Sequence, residues 1–216
     1  MTDAPSTLGV VIFMTALGLL PFFIVTTTAF LKISVVMFII RNALGLQQTP
    51  PSLVLYSIAL VLTVFVSMPL MQDIFGRLTA RPVDFTSLDR LTETAKAVKD
   101  PIQAHLTRYT KPGERQFFLS ATTRVWPESA RANVKDNDFI VLLPAFVSSE
   151  LTRAFEIGFL LYLPFLIIDI IVSNVLMAMG MMMVSPTLIS LPLKLFLFVA
   201  VDGWSRLLHG LILSYA

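Results

Sequence analysis

The chain has 216 residues, 56% of them hydrophobic and 14% charged, with a net charge of +2 and no cysteine. Soluble domains run at about 45–50% apolar and about 25% charged, so this composition excludes an ordinary water-soluble globule. A disulfide framework and a thiolate metal site are excluded by the missing cysteines, and a nucleic-acid-binding stripe by basic residues interleaved with nearly as many acids.

The start, Met1-Thr2-Asp3-Ala4-Pro5, carries an acid and no Lys or Arg. It lacks the basic region of a secretory leader, so the first apolar segment is expected to be retained. No ionisable side chain separates Asp3 from Lys32. As a helix, residues 8–31 would extend roughly 36 Å at ~1.5 Å per residue, against a bilayer core of about 30 Å. Gly45, Pro50 and Pro51 then break the chain, and 53–71 forms a second apolar segment. Lys32 and Arg41 flank this first turn and no acid does, which places the turn on the cytoplasmic side and both termini and the following insert outside.

Residues 73–138 form that insert and hold 11 Lys/Arg and 9 Asp/Glu, 20 of the chain's 30 charged side chains. Phe85, Leu88, Leu91, Ala95, Val98, Ile102, Leu106 and Tyr109 recur at three- and four-residue steps, which predicts one buried helix face. Asp84 is positioned to cap that helix, Asp100-Pro101 to kink it, and Lys111-Pro112-Gly113 to end it. A shorter helix is expected over 114–125, stopped near Trp126-Pro127. Two more apolar segments follow, from 157 to about 179 and from 187 to about 208, interrupted at Asp169 and Lys194 and joined around Gly180 to Pro186. The predicted fold is all-α: a first apolar helical hairpin over 1–72, a small polar helical insert over 73–138, and a second apolar hairpin with a Met-rich turn over 139–216.

Catalysis needs a nucleophile with a base, a metal cluster or a phosphate cradle. His105 and His209 are isolated and lie in no HExxH pattern, and the chain has no GxSxG or GxxxxGK[ST]. No catalytic residue, metal ligand or cofactor is therefore assigned. The charges inside the apolar segments are more informative, since each costs about 2.5–3.5 kcal/mol at mid-membrane and needs a partner. Asp169 lies 14 residues before Met183, and Lys194 lies 11 after it. In an antiparallel hairpin their depths differ by only ~4–5 Å at ~1.5 Å per residue, which a lysine stem spans. An Asp169–Lys194 pair is expected, with a structural role or a proton-relay role. Glu150, Arg153 and Glu156 share a helix face where the third apolar segment begins, as an intrahelical ladder or a charged seam between subunits. Met177, Met179, Met181, Met182 and Met183 crowd the second turn, where three successive residues cannot share one helix face. They read as adaptable packing or lipid contact, or as a flexible apolar seal.

The motifs resemble a known family. Pro21-Phe22-Phe23, Thr28-Ala29-Phe30-Leu31-Lys32 and the run from Arg41-Asn42-Ala43 to Thr49-Pro50-Pro51 are similar to the first hairpin of the SctR/FliP proteins, core export-apparatus components of type III secretion. In the second half Leu143-Pro144-Ala145-Phe146, Ser149-Glu150-Leu151, Ala154-Phe155-Glu156-Ile157-Gly158-Phe159, Leu163-Pro164-Phe165, Gly180-Met181-Met182-Met183, Ser190-Leu191-Pro192-Leu193-Lys194 and Asp202-Gly203-Trp204 follow that family's order. Flagellar members begin with a leader that this chain lacks, which points to the injectisome branch. The resemblance implies an inner-membrane protein without enzymatic activity. Five copies would assemble with the small S and T membrane proteins, beneath rod and needle components, into a pore for unfolded substrates. It implies that Met181, Met182 and Met183 form a gasket, and that neighbouring subunits rather than lipid cover part of the apolar surface. The rival expectation is a small proton-coupled transporter that titrates Asp169.

Overall fold

The computed structural model describes residues 7–80, 88–181 and 183–216, and among these every regular element is helical. In chain order they are α1 (Thr7–Thr27), α2 (Phe30–Ala43), α3 (Ser52–Ala80), α4 (Leu88–Tyr109), α5 (Pro112–Val125), α6 (Glu128–Arg131), α7 (Phe139–Ala178), α8 (Pro186–Ala200) and α9 (Gly203–Leu213). Two of them, α3 and α7, are individually long and apolar enough to cross a bilayer, and the α1–α2 and α8–α9 pairs each pass the same test if taken as one broken span. At ~1.5 Å per residue the 40 residues of α7 reach about 60 Å, twice a bilayer core.

Three consecutive threonines explain the break between α1 and α2. Thr26, Thr27 and Thr28 donate their hydroxyls to the carbonyls of Phe22, Phe23 and Ile24 at 2.9, 2.6 and 2.5 Å. Such back-bonding bends helices, and the β-branched run lowers helix propensity further. The single segment expected over 8–31 is thus divided. The fourth segment divides at Asp202, which takes a left-handed φ of 54°, and α9 leaves α8 at 63°.

The chain forms two compact units. The first comprises Met1–Phe30 and Gln72–Ser149. Its core is Leu106, Leu142 and Phe146, fully buried, with Ile102, Tyr109, Phe139 and Leu143 packed around them. Ile102, Leu106 and Tyr109 belong to the helix face predicted from periodicity; Phe85 and the expected cap Asp84 lie outside the described residues. The expected kink at Asp100-Pro101 does not interrupt the helix: α4 runs through Pro101, whose ring is buried. Burial of the ring offsets the one amide hydrogen bond that proline omits. Lys111 ends α4 and Pro112 opens α5 at a position where no amide is needed. The Lys111 amide donates to Ser149 Oγ at 2.9 Å, tying this junction to α7.

The second unit comprises Leu31–Met71 and Glu150–Ala216. Both of its turns close in the same way. Gly45 and Gly180 take φ of 78° and 76°, which glycine adopts without a Cβ penalty. In each, the glycine amide reaches back three residues (Gly45 to Asn42 and Gly180 to Met177, 3.0 Å) and the next amide five (Leu46 to Arg41, 3.2 Å; Met181 to Leu176, 2.9 Å). This is the Schellman arrangement, which satisfies carbonyls orphaned at a helix end. Helices α2 and α7 approach closely at Gly158, where an added Cβ would stand 2.4 Å from Ile39 Cδ1.

Candidate functional site

The buried charged groups of the second unit fall in two clusters. In the first, Glu150 of α7 is fully buried, as is Lys32 of α2. Lys32 Nζ lies 3.7 Å from Glu150 Oε2 and 3.4 Å from the centroid of the Tyr215 ring. Tyr215 donates its hydroxyl to Glu150 Oε2, and Arg153 Nη1 reaches Glu150 Oε1 at 3.2 Å. One carboxylate thus answers two cations and a phenol, and a π-face covers the ammonium. A buried charge needs just such compensation. Of the Glu150, Arg153 and Glu156 series, Glu150 and Arg153 form an ion pair, and Glu156 is at the exposed surface of α7 one turn on.

Sequence reasoning missed Lys32 and Tyr215 as partners of Glu150. The available signal was that Lys32 is the first ionisable residue after Asp3 and sits in an apolar run; it is the third residue of α2. Its burial also corrects the topology argument. Lys32 is not a turn cation, so the positive-inside preference of the first turn rests on Arg41 alone. Arg41 donates to Ser52 Oγ at 3.0 Å and so bridges the two ends of that turn.

In the second cluster Lys194 Nζ of α8 stands 2.5 Å from Asp169 Oδ2 of α7 and 3.1 Å from the Ala43 carbonyl oxygen at the end of α2. The lysine side chain is 6% exposed and the aspartate 36%. Ala43 is the last residue of α2, where carbonyls lack helical partners and a cation is favoured by the helix dipole. Lys194 therefore ties three helices, and the Ala43 contribution had no signal in the spacing.

At the second turn the methionines face outward: Met177, Met179 and Met183 are 57%, 66% and 100% exposed, Met181 39%. Met182 lies outside the described residues. None of the four belongs to a core, and together they present flexible thioethers at the hairpin tip.

His209 is exposed on α9. His105 packs in the first unit, its ring 4.9 Å from Tyr109 and 6.4 Å from Phe146. Its Nε2 is buried without a hydrogen-bond partner among the described residues. Burial, with the nearby Arg108 charge, pushes it down to about 4 from the ordinary 6.5. Its ring packs against Tyr109 and Phe146. Among the described residues no three of His, Asp and Glu are grouped as metal ligands.

Helices this apolar, with their internal charges paired against one another, define a membrane protein. The FliP family profile matches residues 13–211. The chain is 57% identical to a probable translocation protein, y4yL, of Sinorhizobium fredii over 98% of this chain and 95% of that one. It is 43% identical to the Yop proteins translocation protein R of Yersinia pestis (100% and 99%) and 42% identical to the virulence protein YscR of Salmonella typhimurium (100% and 99%). The chain belongs to the FliP family, on the injectisome branch that its motifs resemble, whose members are structural export-apparatus proteins and not enzymes.

Proposed function

We propose that this protein is a pore-forming subunit of a type III secretion export apparatus, through which unfolded proteins cross the bacterial inner membrane. The observation that carries the reading is uncovered apolar surface in a family of export proteins. Only 22% and 17% of the most apolar windows of α3 and α7 are buried, and large side chains such as Phe65, Phe155, Phe159 and Phe196 stand exposed. Patches of this extent ask for lipid or protein neighbours. Five copies, joined by the small S and T membrane proteins below the rod and needle, would cover them, with residues 73–138 on the periplasmic side and membrane lipid around the rim. No nucleic acid is a partner.

In this reading Met181, Met182 and Met183 line the narrowest part of the pore, where unbranched thioethers seal against ions yet deform around a passing chain. Asp169–Lys194 and Glu150–Arg153, with Glu156 alongside, hold the helices in register. The transporter alternative rests on Asp169 acting alone, whereas that carboxylate is tied to Lys194 at 2.5 Å.

Native mass of the detergent-purified chain, alone and co-expressed with the S and T proteins, tests the assembly. A multi-copy complex is expected on co-expression. A stable monomer in both preparations, moving a small solute, would sink the pore.

A further inference from the structure

Helices α7, α8 and α9 of the second unit enclose a cleft of about 560 Å³, within the ~300–1,000 Å³ typical of ligand pockets. Its walls include Leu161, Phe165, Leu197, Leu207 and Leu211. The space exists because α9 turns 63° away from α8 and because Gly203 and Gly210 contribute no side chain to it. Gly203 is fixed by its neighbour, since an added Cβ would stand 2.4 Å from the Phe198 ring and 2.7 Å from its carbonyl oxygen; Gly210 is open, with nothing within 4 Å. Water is a poor tenant for so apolar a space, because each molecule needs two to four polar partners.

One lining residue is charged. Arg206 is exposed at the cleft, and its side chain has no acidic partner among the described residues, unlike Lys32, Arg77, Arg115, Arg153 and Lys194. On the same short helix stand Trp204 and His209. An aromatic amphipath, an imidazole and a cation on an otherwise apolar helix match the composition of the bilayer interface. The missing ligand therefore has an anionic head and a long apolar body. We propose that this cleft binds one anionic phospholipid, its acyl chain between α7 and α9 and its phosphate on Arg206. An arginine at the edge of an apolar cleft gives a lipid phosphate a counter-charge beside a place for its acyl chain. The inference does not depend on the pore: a chain that never conducts would bind the same lipid.

The test is native mass spectrometry of the full-length protein in detergent, free and in complex with its partners. It is titrated with phosphatidylglycerol or with phosphatidylcholine of the same acyl chains. Phosphatidylglycerol is expected to be retained preferentially, less so at high salt. Arg206→Gln should weaken its retention about fivefold and erase the preference, while Arg206→Lys keeps most of it. Gly210→Leu, which fills the cleft and leaves the charge, should lower retention of both lipids. Unchanged thermal unfolding of each variant separates lost binding from lost fold. Equal retention of the two lipids, or indifference to both Arg206→Gln and Gly210→Leu, overturns the proposal. So does retention by the free chain but not by the complex, which would assign the cleft to a protein neighbour.

Discussion

Lys32 and Glu150 are the side chains whose removal should cost most, because each leaves the other charged and buried. Lys32→Met alone, which leaves the buried Glu150 with only Arg153 and the Tyr215 phenol, is expected to destabilise the protein by about 3 kcal/mol, and Lys32→Met with Glu150→Leu by less than the two single losses together. Thermal unfolding in detergent of Lys32→Met, Glu150→Leu and the double variant measures this, and a double loss equal to the sum of the two single losses would show that the pair is not coupled. Asp169 and Lys194 differ from this in being within reach by chain geometry alone: their distances from Met183 put them at similar depth, and the structure has them 2.5 Å apart. Partners 118 residues apart, as Lys32 and Glu150 are, leave no such local trace. His105 makes a pH-dependent contribution whose sign is fixed by its lowered value of about 4 against 6.5. Between these limits the unfolded chain takes up a proton that the folded chain refuses, so stability is full above pH 6.5 and falls as pH drops toward 4. The loss approaches about 3 kcal/mol, from about 2.5 pH units at ~1.36 kcal/mol each. His105→Phe should flatten that part of the pH–melting profile, and a variant that keeps the acid-side loss would contradict the assignment.

Among the elements, the two turns were legible because glycine and proline act through local sterics. The reciprocal Schellman bonds at Gly45 and Gly180 follow from φ values that only glycine adopts freely. Replacing either by Val should cost at least about 1–2 kcal/mol, with Asn better tolerated at the exposed Gly180. Comparative melting of the Val and Asn variants checks this; equal effects would point to lost packing instead. The breaks at Thr28–Ala29 and Asp202 were not legible in hydropathy. Threonine hydroxyls turned back onto their own helix change its direction without changing its polarity. The insert helix continues through Pro101 for a related reason: a propensity rule about one residue gives way when that residue's ring is buried.

For the molecule as a whole, composition and apolar length define a multi-helix membrane protein, and the ordered motifs define the family. Neither assigns the tenants of the exposed faces of α3 and α7, because surface complementary to a neighbour looks the same in sequence as surface facing lipid. The central claim is that several copies enclose a pore sealed by the methionine turn. It is tested most directly by the ion conductance of cells producing the assembled complex, with Met181, Met182 and Met183 replaced together by serine. The account predicts an unchanged complex by native mass and a raised resting leak, since the small polar side chains would let water and ions pass. An intact complex whose leak matches that of the unaltered protein would contradict it.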